Sequence, residues 1–309
     1  MNNYFCKNFK NKKSMFETQQ INKSTNNQIS RTKKPEWLKI DFRSDNNYSI
    51  VNKTLKTNNL HTICVSGRCP NLAECWNSGT ATFMILGDIC TRSCKFCNTL
   101  TGKPLPPNAD EPKNIANAVK TMNLRYVVLT SVDRDDLADF GAQHWADCIL
   151  KIKEENPNVK IEALIPDFKG DKTLIDKVID TKPNTIAHNI ETVFRLTPSV
   201  RSAAKFETSL AVLRHISERN IRAKSGLMLG LGETENEIFE TMDSLLEVGC
   251  KVLTLGQYLQ PTKKHLEVAD YIHPDKFAEY KQVALQKGFE FVESAPLVRS
   301  SYHAEKCGK

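Results

Sequence analysis

The sequence predicts an α/β fold: a partial (β/α)6 barrel of TIM type, preceded by a cysteine-bearing N-terminal extension and followed by a short C-terminal one. Three observations lead there. From residue 80 onward, short β-branched runs alternate with amphipathic stretches of helical length, a pattern that implies parallel strands joined by right-handed crossovers. Six such units recur, enough for a barrel or part of one. The densest cysteine loop follows the first strand, and in barrel folds sites gather at the C-terminal ends of strands.

The strands are expected over 82–86, 126–132, 159–165, 185–190, 223–229 and 251–255. Helices are expected between them over 114–122, 143–155, 172–180, 207–219 and 235–248, with a further one over 275–287. Ahead of the barrel, residues 1–34 are rich in Asn, Lys, Ser, Thr and Gln and have little to bury, so they read as a disordered basic tail. A mitochondrial transit peptide is the alternative, because acidic residues are almost absent there, but the usual Arg-rich amphipathic pattern is missing. Residues 35–79 form the N-terminal extension, 80–290 the barrel and 291–309 a C-terminal segment.

Charge and composition remove several function classes. The net charge of +7 comes from the tail, which holds eight Lys/Arg against Glu17 alone; the remaining chain carries 35 basic and 35 acidic residues. A balanced body argues against nucleic acid as a partner. No apolar run approaches the ~18–20 residues that span a bilayer, and no signal-peptide stretch opens the chain, so a soluble cytoplasmic protein with no membrane partner is expected. Of the ten cysteines, six lie between Cys64 and Cys97, while Cys6, Cys148, Cys250 and Cys307 are scattered. A secreted disulfide scaffold spreads its cysteines over a shorter chain; this cluster reads as metal binding in a reducing compartment.

Cys90-Thr-Arg-Ser-Cys94-Lys-Phe-Cys97 is a C-x3-C-x2-C triplet. Thiolates suit zinc and iron–sulfur clusters. Cubane clusters normally take four cysteines, so three on one short loop leave a corner iron for a ligand from outside the protein. Zinc completed by a distant cysteine is the competing reading, although only Cys94 and Cys97 form the usual C-x2-C arm. Upstream of it lies another triplet, the first along the chain: Cys64, Cys69 and Cys75, spaced C-x4-C-x5-C, with fourteen residues between Cys75 and Cys90. It also lacks a fourth cysteine nearby.

Several further stretches stand in order along the chain: Gly79-Thr-Ala-Thr-Phe-Met-Ile-Leu-Gly-Asp88, Thr130-Ser-Val-Asp-Arg-Asp-Asp-Leu137, Asn189-Ile-Glu-Thr-Val193, Lys224-Ser-Gly-Leu-Met-Leu-Gly-Leu-Gly-Glu233, Gly256-Gln-Tyr-Leu-Gln-Pro-Thr262 and Arg299-Ser-Ser-Tyr-His-Ala304. With the tandem triplets, they resemble the lipoyl synthase family of radical S-adenosylmethionine enzymes from about residue 34 to near the C-terminus. The resemblance implies two [4Fe–4S] clusters and S-adenosylmethionine as cofactors. Cys90, Cys94 and Cys97 would hold the radical-generating cluster, and Phe96, the bulky apolar residue before the last, would lie against the bound cofactor. Cys64, Cys69 and Cys75 would hold an auxiliary cluster in the N-terminal extension, with Ser301 as its fourth ligand and Ser300 as the fallback. The implied reaction inserts sulfur at C6 and C8 of an octanoyl chain carried on a lysine. It consumes two S-adenosylmethionine molecules, and the auxiliary cluster is the sulfur donor, which makes Ser301 catalytic. Octanoylated lipoyl-domain carriers (dehydrogenase E2 subunits and the glycine-cleavage H protein) would be the partners, with ferredoxin or flavodoxin supplying electrons.

Ser131, Asp133, Asn189, Glu191, Lys224 and Ser225 are expected to face the barrel mouth and to contact S-adenosylmethionine. Arg195 and Arg201 are candidates for a carboxylate, whereas His61, His188 and His303 are not expected to bind metal. Three stretches depart from the family's usual pattern: Phe140 in Asp139-Phe-Gly-Ala142, Ala295 in Ser294-Ala-Pro296, and Ser202-Ala-Ala204 after Arg201. Each exchanges backbone freedom for a side chain, or proline for serine, and so changes the flexibility of its loop. A biotin synthase would lack the upstream triplet, and a methylthiotransferase would need an RNA-binding domain after the sixth strand. A zinc-stabilised binding module remains the rival of another class.

Overall fold

The computed structural model describes residues 34–39, 46–77 and 82–307. The basic tail lies outside these residues, apart from its last member. Among the described residues there are ten strands: β1 His61–Thr62, β2 Thr82–Ile85, β3 Ile89–Cys90, β4 Leu100–Thr101, β5 Tyr126–Ser131, β6 Lys160–Leu164, β7 Thr185–Ala187, β8 Arg222–Leu229, β9 Val252–Gln257 and β10 Phe291–Ser294. Eight of them form one sheet in the order β1-β2-β5-β6-β7-β8-β9-β10, parallel throughout except for the β1–β2 pair; β3 and β4 form a separate parallel pair. The six expected strands are therefore found within a few residues of their predicted bounds. The sequence reading missed the seventh parallel strand, β10, which extends the sheet beyond β9 in register with Val252–Leu255.

Strand alternation sorts side chains between two layers. Val127 and Leu129 of β5, Ile161 and Ala163 of β6, Leu253 and Leu255 of β9, and Val292 of β10 join the main core, where they pack with Ile115, Trp145, Ile149, Ile175 and Met242 from the helices. Residues of the other parity face the concave side. There Tyr126 Oη donates to Glu162 Oε2 at 3.1 Å, and Lys224 Nζ donates to both Glu162 oxygens at 2.7 and 2.9 Å. Tyr126 and Val128 also pack with Ala304, so the C-terminal helix Ala304–Cys307 seats against the concave face of β5.

The helices are stopped and started by local chemistry. Thr234 forms a capping box with Glu237 at the start of Glu235–Glu247, and Asp171 caps Lys172–Ile179. The helix Pro274–Lys287 opens on proline and ends at Gly288, whose φ of 115° few other residues would adopt. Just after β2 the chain turns sharply through Leu86 and Gly87, both at positive φ, and enters the first cysteine loop of the barrel.

Candidate metal centres and their surroundings

The loop after β2 carries Cys90, Cys94 and Cys97. Cys90 ends β3, and the Gly102 amide closes on its carbonyl at 3.0 Å. Its sulfur accepts the backbone N–H groups of Asp133 (3.3 Å) and Arg92 (3.4 Å). Lys95 N–H donates to Val200 O, Leu266 N–H donates to Lys95 O, and His265 Nε2 lies 3.0 Å from Cys97 O. Beneath the loop, Arg92 forks onto Asp135 (2.7 and 2.8 Å) and Asp167 (2.8 and 2.9 Å), with Asp133 at 3.4 Å. Desolvation works against the Arg92 charge, but its bonds to Asp135 and Asp167 outweigh it and raise its pKa. Sequence reasoning missed this arginine because its three acids lie 41 to 75 residues away.

Desolvation pushes the Cys90 thiol up to about 12, with Asp133 adding to the shift and the Arg92 and Asp133 amides opposing it. Desolvation also raises Cys94. Cys97 adds electrostatically to both shifts. Such a trio gains thiolate character only when a cation neutralises it.

The first triplet is built on two short helices. Cys64 lies in Ile63–Ser66, capped by Thr62, and Cys75 lies in Leu72–Asn77. Between them the Cys69 amide returns to Cys64 O at 3.0 Å. Desolvation and the neighbouring Cys64 push Cys69 up to about 11 while Arg299 opposes them; desolvation, Cys69 and Cys64 push Cys75 up to about 12. The C-terminal segment reaches this triplet. Asn71 Nδ2 donates to Leu297 O at 2.8 Å, and Tyr302 Oη donates to Glu74 Oε1 at 2.9 Å. Ser301 lies in the turn between Arg299 and Tyr302. The two triplets are tied together, since Asn98, next to Cys97, donates through Nδ2 to Ser66 O at 2.8 Å, between Cys64 and Cys69.

A family model for the radical SAM superfamily matches residues 84–245, and one for the N-terminal domain of lipoyl synthase matches residues 2–69. A lipoyl synthase of Bacteroides fragilis is 61% identical over 276 residues, covering 89% of this chain and 96% of that protein. Lipoyl synthases of Parabacteroides distasonis and Treponema denticola are each 57% identical over 274 residues, covering 89% of this chain and 98% and 94% of theirs. The chain belongs to the lipoyl synthase family. Solved structures show the fold alone: SuiB of Streptococcus suis bound to S-adenosylmethionine has a TM-score of 0.56 at 12% identity (74% of this chain, 54% of that one). Methylornithine synthase has 0.51 at 12% (80% and 77%).

Within this lipoyl synthase family chain, the residues expected to contact S-adenosylmethionine divide. Asp133 lies beside the second triplet, its Oδ2 3.7 Å from Cys90 Sγ. Phe96 is half-buried in the same loop. Asn189 and Glu191 sit past the end of β7. The Asn189 Oδ1 is buried with no hydrogen-bond partner among the described residues, and a side chain at Gly226 would meet it at 2.9 Å. Desolvation raises the Glu191 carboxyl, with Arg201 opposing the shift. A buried acceptor left without a partner, packed against a glycine that makes room for it, fits a polar ligand with an amino group.

The other three do not reach the mouth. Ser131 is the last residue of β5 and points to the helix layer, where its Oγ accepts from Trp145 Nε1 at 3.3 Å. Ser225 has that same outward parity on β8, donating to His188 O at 2.9 Å and accepting from Ile190 N–H at 3.1 Å. Lys224 faces the concave side but is consumed by Glu162, with side chains 0% and 1% exposed. Arg195 pairs on the surface with Glu237 at 2.6 Å. Arg201 is buried and donates to Ser209 Oγ at 2.8 Å and Ile190 O at 3.3 Å.

Burial, with Arg201 adding to it, lowers His188 to about 4; its ring nitrogens sit 2.9 Å from Ile165 O and Ser209 Oγ. His61 lies 4.0 Å from Asp88, and His303 lies 4.0 Å from Glu293. Among the described residues, Glu111, His144 and Cys148 also converge within 4.8 Å. These are already engaged with one another: Glu111 Oε2 accepts the Leu86 N–H at 2.8 Å and lies 2.6 Å from His144 Nε2, so the group braces the turn leading into Cys90. Of the departures, Phe140 takes φ 53° under Lys169, and Ser202 Oγ accepts the Ser93 N–H at 3.1 Å and lies 4.0 Å from Cys94 Sγ.

Proposed function

We infer that this chain carries out the lipoyl synthase reaction, inserting sulfur at C6 and C8 of an octanoyl group held on a lysine of a carrier protein, and that its two cysteine triplets divide the work. The observation that supports their acting together is the Asn98–Ser66 hydrogen bond, which keeps the two sulfur trios on adjoining segments. When bound, S-adenosylmethionine and the cluster of Cys90, Cys94 and Cys97 supply the radical that removes hydrogen, and the cluster of Cys64, Cys69 and Cys75 supplies sulfur.

The chain's own residues bind and orient. The backbone amides of Arg92 and Asp133 steady the Cys90 sulfur, and Arg92 neutralises the acids beneath the loop. Asn189 Oδ1 is the acceptor offered to the amino group of S-adenosylmethionine, with Glu191 beside it. Ser301 is the proposed fourth ligand of the first trio. An alkoxide is a harder ligand than a thiolate and is the natural one to release when the cluster is dismantled.

Octanoylated E2 subunits and the H protein are the proposed carriers, ferredoxin or flavodoxin the proposed reductant, and a reducing cytoplasm the proposed compartment. No helix of the described residues is long and apolar enough to cross a membrane. The test is anaerobic reconstitution followed by turnover on an octanoyl-lysine carrier peptide. About eight irons and eight sulfides per chain, as two cubanes require, together with lipoyl product support this reading. Zinc in place of iron overturns it.

A further inference from the structure

Ser301 has no cysteine neighbour in sequence to hold it at the first triplet. Three contacts bracket it instead. Upstream, Asn71 Nδ2 fixes Leu297 O. Downstream, Ala304 is buried against Tyr126 and Val128. The remaining contact is on the adjacent residue: Tyr302 Oη donates to Glu74 Oε1 at 2.9 Å, across 228 residues of sequence. Glu74 directly precedes Cys75, and Tyr302 directly follows Ser301. One hydrogen bond therefore links the neighbour of a cysteine of the trio to the neighbour of the serine. Its acceptor is a carboxylate, which makes the bond charge-assisted, and the Tyr302 ring is further fixed by His303 at a centroid distance of 4.0 Å.

We propose that Glu74 and Tyr302 form a latch that positions Ser301 over the first triplet. This rests on Ser301 being a ligand of that cluster, as inferred above. Glu74 and Tyr302 are positioning residues that touch neither cluster nor substrate. The latch would hold the turn in place whether or not the Ser301 oxygen is bound to iron, so that the serine stays within reach of the first triplet.

The experiment uses full-length chains in which Cys90, Cys94 and Cys97 are alanine, so that only the first cluster is loaded. In this background Tyr302→Phe, Glu74→Ala, Glu74→Gln and Ser301→Ala are compared. Iron release to a chelator is followed by absorbance, and the distinct iron site is read by Mössbauer spectroscopy. Hydrogen exchange at residues 300–304 is measured in metal-free protein. Tyr302→Phe and Glu74→Ala should each speed iron release about fivefold, the size of one exposed hydrogen bond, and the double variant should be no faster than either. Glu74→Gln keeps an acceptor oxygen and should recover part of the loss. Exchange at 300–304 should rise in both single variants while the melting temperature stays put. Should Ser301→Ala alter iron release and the Mössbauer spectrum while Tyr302→Phe and Glu74→Ala match the parent, the latch is wrong. Should Ser301→Ala itself change neither, the ligand assignment fails first.

Discussion

The two triplets hold the same number of sulfurs by opposite means. Cys90, Cys94 and Cys97 lie within eight residues on one loop at a strand end, and the surrounding barrel clamps that loop through Val200, Leu266, His265 and the Arg92 fork. Cys64 and Cys75 ride on two short helices outside the barrel strands with Cys69 between them, and the trio depends on a segment more than 220 residues away for its cover. The first arrangement is held from several elements at once and would suit a cluster that must return unchanged after every cycle. The second joins two separable pieces and suits a cluster that is opened and spent.

The largest effect should come from removing one sulfur on each side. Cys94→Ala should abolish S-adenosylmethionine cleavage, whereas Cys69→Ala should leave cleavage measurable and eliminate sulfur insertion; both products are quantified by mass spectrometry. Sulfur insertion at the parental level by the second variant would erase the distinction between the triplets.

Next in size is the Glu162–Lys224 pair. Lys224→Met strands a fully buried carboxylate and should cost about 3–5 kcal/mol of unfolding free energy, read by denaturant titration. Because Lys224 is locked away from the mouth, binding of S-adenosylmethionine by the folded fraction should be unchanged; a loss of affinity under stabilising conditions would return Lys224 to the site.

A comparable effect should appear with pH at His188. Its folded pKa of about 4 lies below the ordinary 6.5. The unfolded chain therefore binds the extra proton between those values, and acid favours unfolding. Above pH 6.5 this group costs nothing; as pH falls from 6.5 to 4, stability should drop by up to about 3 kcal/mol. His188→Gln should flatten that part of the profile in chemical denaturation.

The smallest expected effect is at Ser202, which borders the barrel-held triplet. Ser202→Ala removes the hydroxyl near Cys94 Sγ and should lower the reduction potential of that cluster slightly, since hydrogen bonds to cluster sulfurs tune it. A redox titration followed by EPR measures it.

Much of this was legible in the sequence. The triplet spacings and six strands could be read because the information is local: adjacent cysteines and runs of alternating or β-branched residues. What could not be read was set by parity and by distance. Ser131 and Ser225 fall on the helix-facing side of their strands, and a one-residue change of phase decides that outcome. Lys224 has the right parity, but its partner Glu162 lies 62 residues away. β10 was missed because Phe291–Ser294 is short, with a single fully buried member, Val292. Arg92, Glu74 and Asn98 carry no motif of their own; only the folded chain brings their partners to them.

The bond between Glu74 and Tyr302 also has a consequence for how the molecule comes into being. The segments it joins are separated by every parallel strand of the sheet. The cover over Cys64, Cys69 and Cys75 is therefore a high-contact-order feature that can be completed only after the intervening chain has come together. A partly folded chain can offer three sulfurs at each place but completes the surroundings of neither, since Val200, His265 and Leu266 must also arrive at the other loop. Completion of the cover over Cys64, Cys69 and Cys75 then reports that the whole barrel has formed, so the sulfur store is sealed only in molecules able to use it.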